Sequence, residues 1–136
     1  MVRMLTVAVV AALLGLGWTV ANAASRPADA YSKCRKHAVS TADIAACQRA
    51  ELARLNPRLR AVFARLRANV AGTNGLGRRL DRSQAAWKRF LRADCEGFAG
   101  QIFRGGTLAP VEQADCVIND TRSRIHDLQA FGKPFS

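Results

Sequence analysis

Four cysteines, two histidines and a surplus of arginine are the residues of this 136-residue chain that have chemistry to offer. Cys34, Cys47, Cys95 and Cys116 are separated by 12, 47 and 20 residues. That spacing lacks the close pairs with nearby histidine from which zinc sites are built. An even number of cysteines in a short chain reads instead as two disulfides, and four cysteines allow three pairings. His37 and His126 lie in unrelated settings and have no third ligand. Asp94 and Glu96 flank Cys95, but residues two apart on a helix point in nearly opposite directions, so they do not form the convergent carboxylate pair of a glycosidase. Ser83 and Ser123 have no glycine-rich elbow, and no phosphate-binding glycine loop precedes a helix. The expected chemistry is cross-linking and ionic recognition, with no catalytic set, metal or cofactor.

Arginine outnumbers lysine 17 to 4, and the formal net charge is +11. Arg54, Arg58 and Arg65 form one flank of a helical stretch, with Glu51 almost the only acid among them, and Arg49, Arg60 and Arg67 form another. Further on, Arg78, Arg82, Arg89 and Arg92 lie opposite an apolar face. Two readings stand side by side: a solvated, arginine-rich face, or a surface whose guanidinium forks take phosphate, carboxylate or sulfate groups. On the second, Arg54, Arg58, Arg65, Arg89 and Arg92 are the candidate anion or partner contacts. Nucleic acid is disfavoured, since no aromatic residues are interleaved with the charge and the chain carries an export signal.

That signal occupies residues 1–23: Arg3, an apolar run from Leu5 to Val20, and the small-x-small site Ala21-Asn22-Ala23. Its removal lowers the formal charge by the one unit of Arg3, to +10. A periplasmic or secreted protein with no remaining membrane span is expected, in an oxidising compartment that suits disulfides. At 49% apolar and 23% charged residues, the remainder can build the core of one domain.

Residues 24–40 lack apolar periodicity and read as irregular, residues 41–131 as a helical domain, and residues 132–136 as a tail. Ser40 or Thr41 can cap a first helix, with Asp43 in its first turn. Its apolar arc is Leu52, Leu55, Leu59, Val62, Phe63, Leu66 and Val70, and Pro57 marks a kink or break. The glycines of Gly72-Thr73-Asn74-Gly75-Leu76-Gly77 form a turn. A second helix from Arg78 buries Leu80, Gln84, Trp87, Leu91, Cys95, Phe98 and Ile102. Gly105-Gly106 ends it, and Pro110 opens a third helix carrying Ala114, Val117, Ile118, Thr121, Ile125 and Leu128. The expected fold is all-α, a small antiparallel three-helix bundle with two disulfides. Cys95 and Cys116 lie nearly equidistant from the Gly105-Gly106 turn, and Cys34 and Cys47 flank the helix cap, which favours the two local pairings.

The stretch from Gln84 to Cys95, with Trp87 and Phe90 inside it, resembles the Q-x-x-W-x-x-(Y/F)-x-x-x-x-C core of the LprI-type lysozyme inhibitor domain family. Leu55-Asn56, Gly105-Gly106-Thr107 before Cys116, and Thr121-Arg122 leading to Leu128 extend the likeness over residues 34–128. The resemblance implies an exported, disulfide-linked helical domain that binds without catalysing. It makes Gln84, Trp87, Gly106 and Arg122 motif positions of structural character, and a lysozyme-like hydrolase the expected partner. The alternative partner, which rests on the arginines alone, is an anionic envelope component. No cysteine stands at the cleavage point, so a lipid anchor like that of the family's type member is not expected. Common animal lysozymes are themselves basic, so the net charges of the two proteins repel at long range.

Overall fold

The computed structural model describes residues 27–102 and 106–135. The expected signal peptide and the glycine Gly105 lie outside the described residues. Four helices carry the fold, with no strand among the described residues: α1 (Pro27–His37), α2 (Thr41–Asn69), α3 (Leu76–Leu91) and α4 (Ala109–Gly132). Beyond Leu91 the rod of α3 continues as a π-helical stretch, Arg92–Ala99, and a last α turn, Gly100–Ile102. A short 3-10 turn, Lys133–Phe135, follows α4.

Residues 24–40 are therefore not irregular as expected, because α1 occupies most of that segment. Its sequence carries too few apolar residues to announce a helix, and it is held by tertiary contacts: the Cys34–Cys47 bridge, with Cα atoms 5.8 Å apart, pins it to the first turns of α2. Between the two, Ser40 closes a capping box. Its hydroxyl accepts from the Asp43 backbone N–H at 3.1 Å, and the Asp43 carboxylate accepts from the Ser40 backbone N–H at 3.0 Å. The Ser40 hydroxyl, which also donates to Asp43 Oδ2 at 2.7 Å, and then the Val39 and Ser40 backbone N–H groups hold the Asp43 carboxyl below its ordinary range.

The helix α2 runs unbroken through Pro57, whose exposed ring costs one backbone donor without dividing the helix. Gly75, in the left-handed region at φ 70°, starts α3 two residues earlier than expected, at Leu76. The guanidinium of Arg67, paired to Asp81 at 3.0 Å, lies over Gly77 where a β-carbon would collide with it.

The core is the arc read from the sequence: Leu55, Leu59, Leu66 and Val70 of α2 and its C-cap meet Ile118, Ile125 and Leu128 of α4, with Leu80 and Trp87 of α3 packed against them. Register follows from particular pairs. Gln48 of α2 donates to the Val111 carbonyl of α4 at 2.7 Å, and Leu66 touches Gly132 at the other end, so α2 and α4 run in the same direction. Between them α3 runs the opposite way, with Arg67 on Asp81 at its start and Cys95 bridged to Cys116 near its end.

One expectation fails in an instructive way. Helical spacing puts Phe98 and Ile102 on the buried face with Cys95, yet they are 66% and 57% exposed. The cause is the π stretch. Its bonds reach back five residues, as from the Gly100 N–H to the Cys95 carbonyl, so each turn is wider than an α turn. Cys95 and Gly100, five apart, are the two residues buried here, and the face drawn at α spacing rotates out to solvent.

Reduction of both bridges is expected to lower stability by about 2–5 kcal/mol, the range for small disulfide-linked domains, read as a fall in the urea midpoint. Circular dichroism is expected to keep its helical form in the oxidised protein.

Candidate functional site

Two buried ionic centres tie the helices together. The first is Glu51, 4% exposed, one helical turn before Leu55 on the buried side of α2. Arg54, three residues on, donates through Nε at 2.9 Å and Nη2 at 2.5 Å. Arg122 reaches across from α4 and donates to the same carboxylate through Nη2 at 2.8 Å and Nε at 3.2 Å. Burial alone would raise the Glu51 carboxyl, but the hydrogen bonds and charges of the two arginines outweigh it and hold the group below its ordinary range. The guanidinium of Arg122 also sits 5.0 Å from the centre of the Tyr31 ring of α1. The Tyr31 hydroxyl donates to Asp115, which Arg35 meets at 3.2 Å. Burial first, then the Asp115 carboxylate, pushes the Tyr31 hydroxyl up to about 12. This chain of contacts runs from α2 through α4 to α1.

The second centre is Arg124, 8% exposed, which faces no carboxylate directly. Its Nε donates to Gln84 Oε1 at 2.9 Å and its Nη2 to Ser83 Oγ at 3.1 Å, and its guanidinium lies 6.0 Å from the Trp87 ring centre. Burial lowers its affinity for the proton, and the nearby Asp127 opposes that. Trp87, half-buried, is bordered by Leu59, Arg60, Leu91 and Thr121.

At the motif positions, Gln84 and Trp87 embrace Arg124, Arg122 clasps Glu51, and the exposed Gly106 accepts the Ala109 N–H at 2.9 Å in the turn before α4. Of the candidate anion contacts, Arg58, Arg65, Arg89 and Arg92 stand exposed, whereas Arg54 is taken up by Glu51. His37 and His126 are both exposed, the latter 3.7 Å from Asp127.

The structure also brings together a set that sequence spacing conceals. Asp120 of α4 joins Asp94 beside the Cys95–Cys116 bridge, with potential ligand atoms of all four residues within 4.8 Å of one another. With both sulfurs joined in the disulfide, the set offers two carboxylates and no thiolate. Burial, and then the charge of Asp94, raise the Asp120 carboxyl. Glu51 and Arg124 were legible in principle: Glu51 precedes Leu55 and Leu59 at intervals of four, and Arg124 falls beside Ile125 between the buried Thr121 and Leu128. A polar residue at an apolar register is the signal. Tyr31 carried no such signal.

Fold and contacts define a small helical domain stapled by two disulfides and locked by buried arginine contacts. Residues 34–128 match the family model described as Lysozyme inhibitor LprI, and the chain belongs to that family. No curated protein and no solved structure matches it. The matched residues run from the first cysteine to the last buried leucine, Leu128, and so include both bridges and both ionic centres.

Glu51→Ala is expected to cost about 3–5 kcal/mol, because it leaves two arginines facing a vacated buried site. The folded-state carboxyl is lowered, so its contribution is complete above the unfolded glutamate's range, near ~4.3, and disappears as pH falls through the folded value. Urea midpoints between pH 3 and pH 7 are therefore expected to flatten in Glu51→Gln. Trp87→Ala is expected to cost about 2–4 kcal/mol, below the top of the range for a fully buried aromatic, read by the same midpoints.

Proposed function

We propose that this chain is an exported, non-catalytic binding protein that inhibits a lysozyme by occluding its substrate cleft. The observation that carries this reading is the family match over residues 34–128, which spans the whole stapled bundle. The absence of a convergent nucleophile and base in the sequence, and the use of the motif residues in packing, agree with a protein that acts by fitting a partner. Two disulfides suit an oxidising compartment, periplasmic or extracellular. No helix among the described residues is long and apolar enough to cross a membrane.

A second reading rests on Arg58, Arg65, Arg89 and Arg92, which stand exposed on α2 and on the rod of α3. It makes the protein a holder of an anionic envelope component through guanidinium contacts.

Lysis of a bacterial cell suspension by lysozymes of several structural classes, followed by turbidity with and without the exported chain, separates the two. Selective inhibition of one class is expected. Double replacement Arg58→Gln and Arg65→Gln is expected to leave that inhibition within twofold. On the anion reading, the same variant loses affinity for a polyanion, with a salt slope shallower by about 0.9 per lost contact. Lysis unaffected for every class overturns the inhibitor reading.

A further inference from the structure

Positive charge is not spread evenly along this chain. Residues 94–120 hold five acids, Asp94, Glu96, Glu112, Asp115 and Asp120, against the single base Arg104, so the stretch is net negative within a chain of formal charge +11. Folding gathers part of it at one end of the molecule, where the π stretch meets the first turns of α4 through the Cys95–Cys116 bridge. Asp115 is used internally by Arg35 and Tyr31. Among the described residues, Asp94, Glu96, Glu112 and Asp120 form no salt bridge. Asp94 and Asp120 stand close enough for the charge of one to raise the carboxyl of the other.

The same end carries apolar surface. Phe90, Asp94, Phe98 and Ile102 recur every four residues along the rod of α3, and the three apolar members are 54%, 66% and 57% exposed. Leu108, 47% exposed, follows just before α4. A strict α-helix would have carried Phe98 and Ile102 round with Cys95 into the interior. The π stretch turns them outward, and wide turns of this kind are frequent at functional sites. Repelling carboxylates and exposed phenylalanine each weaken an isolated domain. A partner that is cationic and offers apolar contacts offsets both.

We propose that this acidic, apolar end is the surface that seats a lysozyme. Asp94 and Asp120 meet basic groups bordering the enzyme's cleft, while Phe98 and Ile102 supply the buried contact. The proposal rests on the inhibitor reading and names its surface. It also removes an electrostatic difficulty: two proteins of positive net charge repel at long range, but a local negative patch orients their encounter and gives it complementary contact. The arginine flanks of α2 lie on another part of the chain and take no share in it.

The test uses the whole exported chain and a lysozyme that it inhibits, with Kd, kon and melting temperature measured for wild type, Phe98→Ser, Ile102→Ser and Asp94→Asn. Phe98→Ser and Ile102→Ser are each expected to weaken binding about tenfold or more at an unchanged melting temperature, as truncation of a central contact does. Asp94→Asn is expected to lower kon several-fold at low salt and to flatten its salt dependence. If wild type inhibits and all three variants bind as it does, this surface is overturned and the inhibitor reading stands. If wild type binds no lysozyme of any class, both fall. A wild-type dimer that Phe98→Ser dissolves, with lysozyme affinity unchanged, assigns the patch to a second copy and overturns the proposal.

Discussion

A carboxylate can be buried only where its hydration is replaced in full, and the rest of this fold is arranged around one such replacement. Glu51 lies inside the contact between α2 and α4, and two guanidinium groups from different helices supply donors to it. Arg54 belongs to the same helix as Glu51 and does not span the interface. Arg122 makes the group a tie between helices, and its other face rests on the Tyr31 ring, so α1 is placed by the same side chain. Buried ion pairs often add little net stability over well-packed apolar residues. What this one supplies is position: hydrophobic contacts between Leu55, Leu59 and Ile118 tolerate sliding, whereas a shared carboxylate does not.

The sequence made the apolar half of the molecule legible. Leu55, Leu59, Leu66, Val70, Ile118, Ile125 and Leu128 were all read as core at helical spacing, and all are buried. The local cysteine pairings followed from where the turns fall. Two features escaped for opposite reasons. The helix α1 was missed because its stability is not local: with Tyr31 as its one large apolar residue, it exists through a disulfide and an aromatic contact made elsewhere. Phe98 and Ile102 were misplaced because a constant 3.6-residue period was extended through a segment that departs from it. Periodicity arguments carry an error that grows with each turn beyond such a departure, so the end of a helix is less secure than its beginning.

Charge in this protein is sorted by element. Much of the base sits on α2 and the rod of α3, where Arg58, Arg65, Arg89 and Arg92 face water, while Asp94 and Asp120 stand beside the second bridge. A net figure of +11 conceals that division.

The direction of the helices has a consequence for how the chain reaches its native state. Because α2 and α4 run the same way, they cannot be neighbours in a simple hairpin. Gln48 must find Val111 across 63 residues, and Glu51 must find Arg122 across 71. The two bridges close loops of only 13 and 21 residues, one at each local turn, and neither joins α2 to α4. Cross-linking therefore shortens the search for partners that are already close and leaves the longest search untouched. The oxidised chain must still assemble its core through contacts of high sequence separation, a topology that slows folding in helical proteins otherwise rich in local contacts.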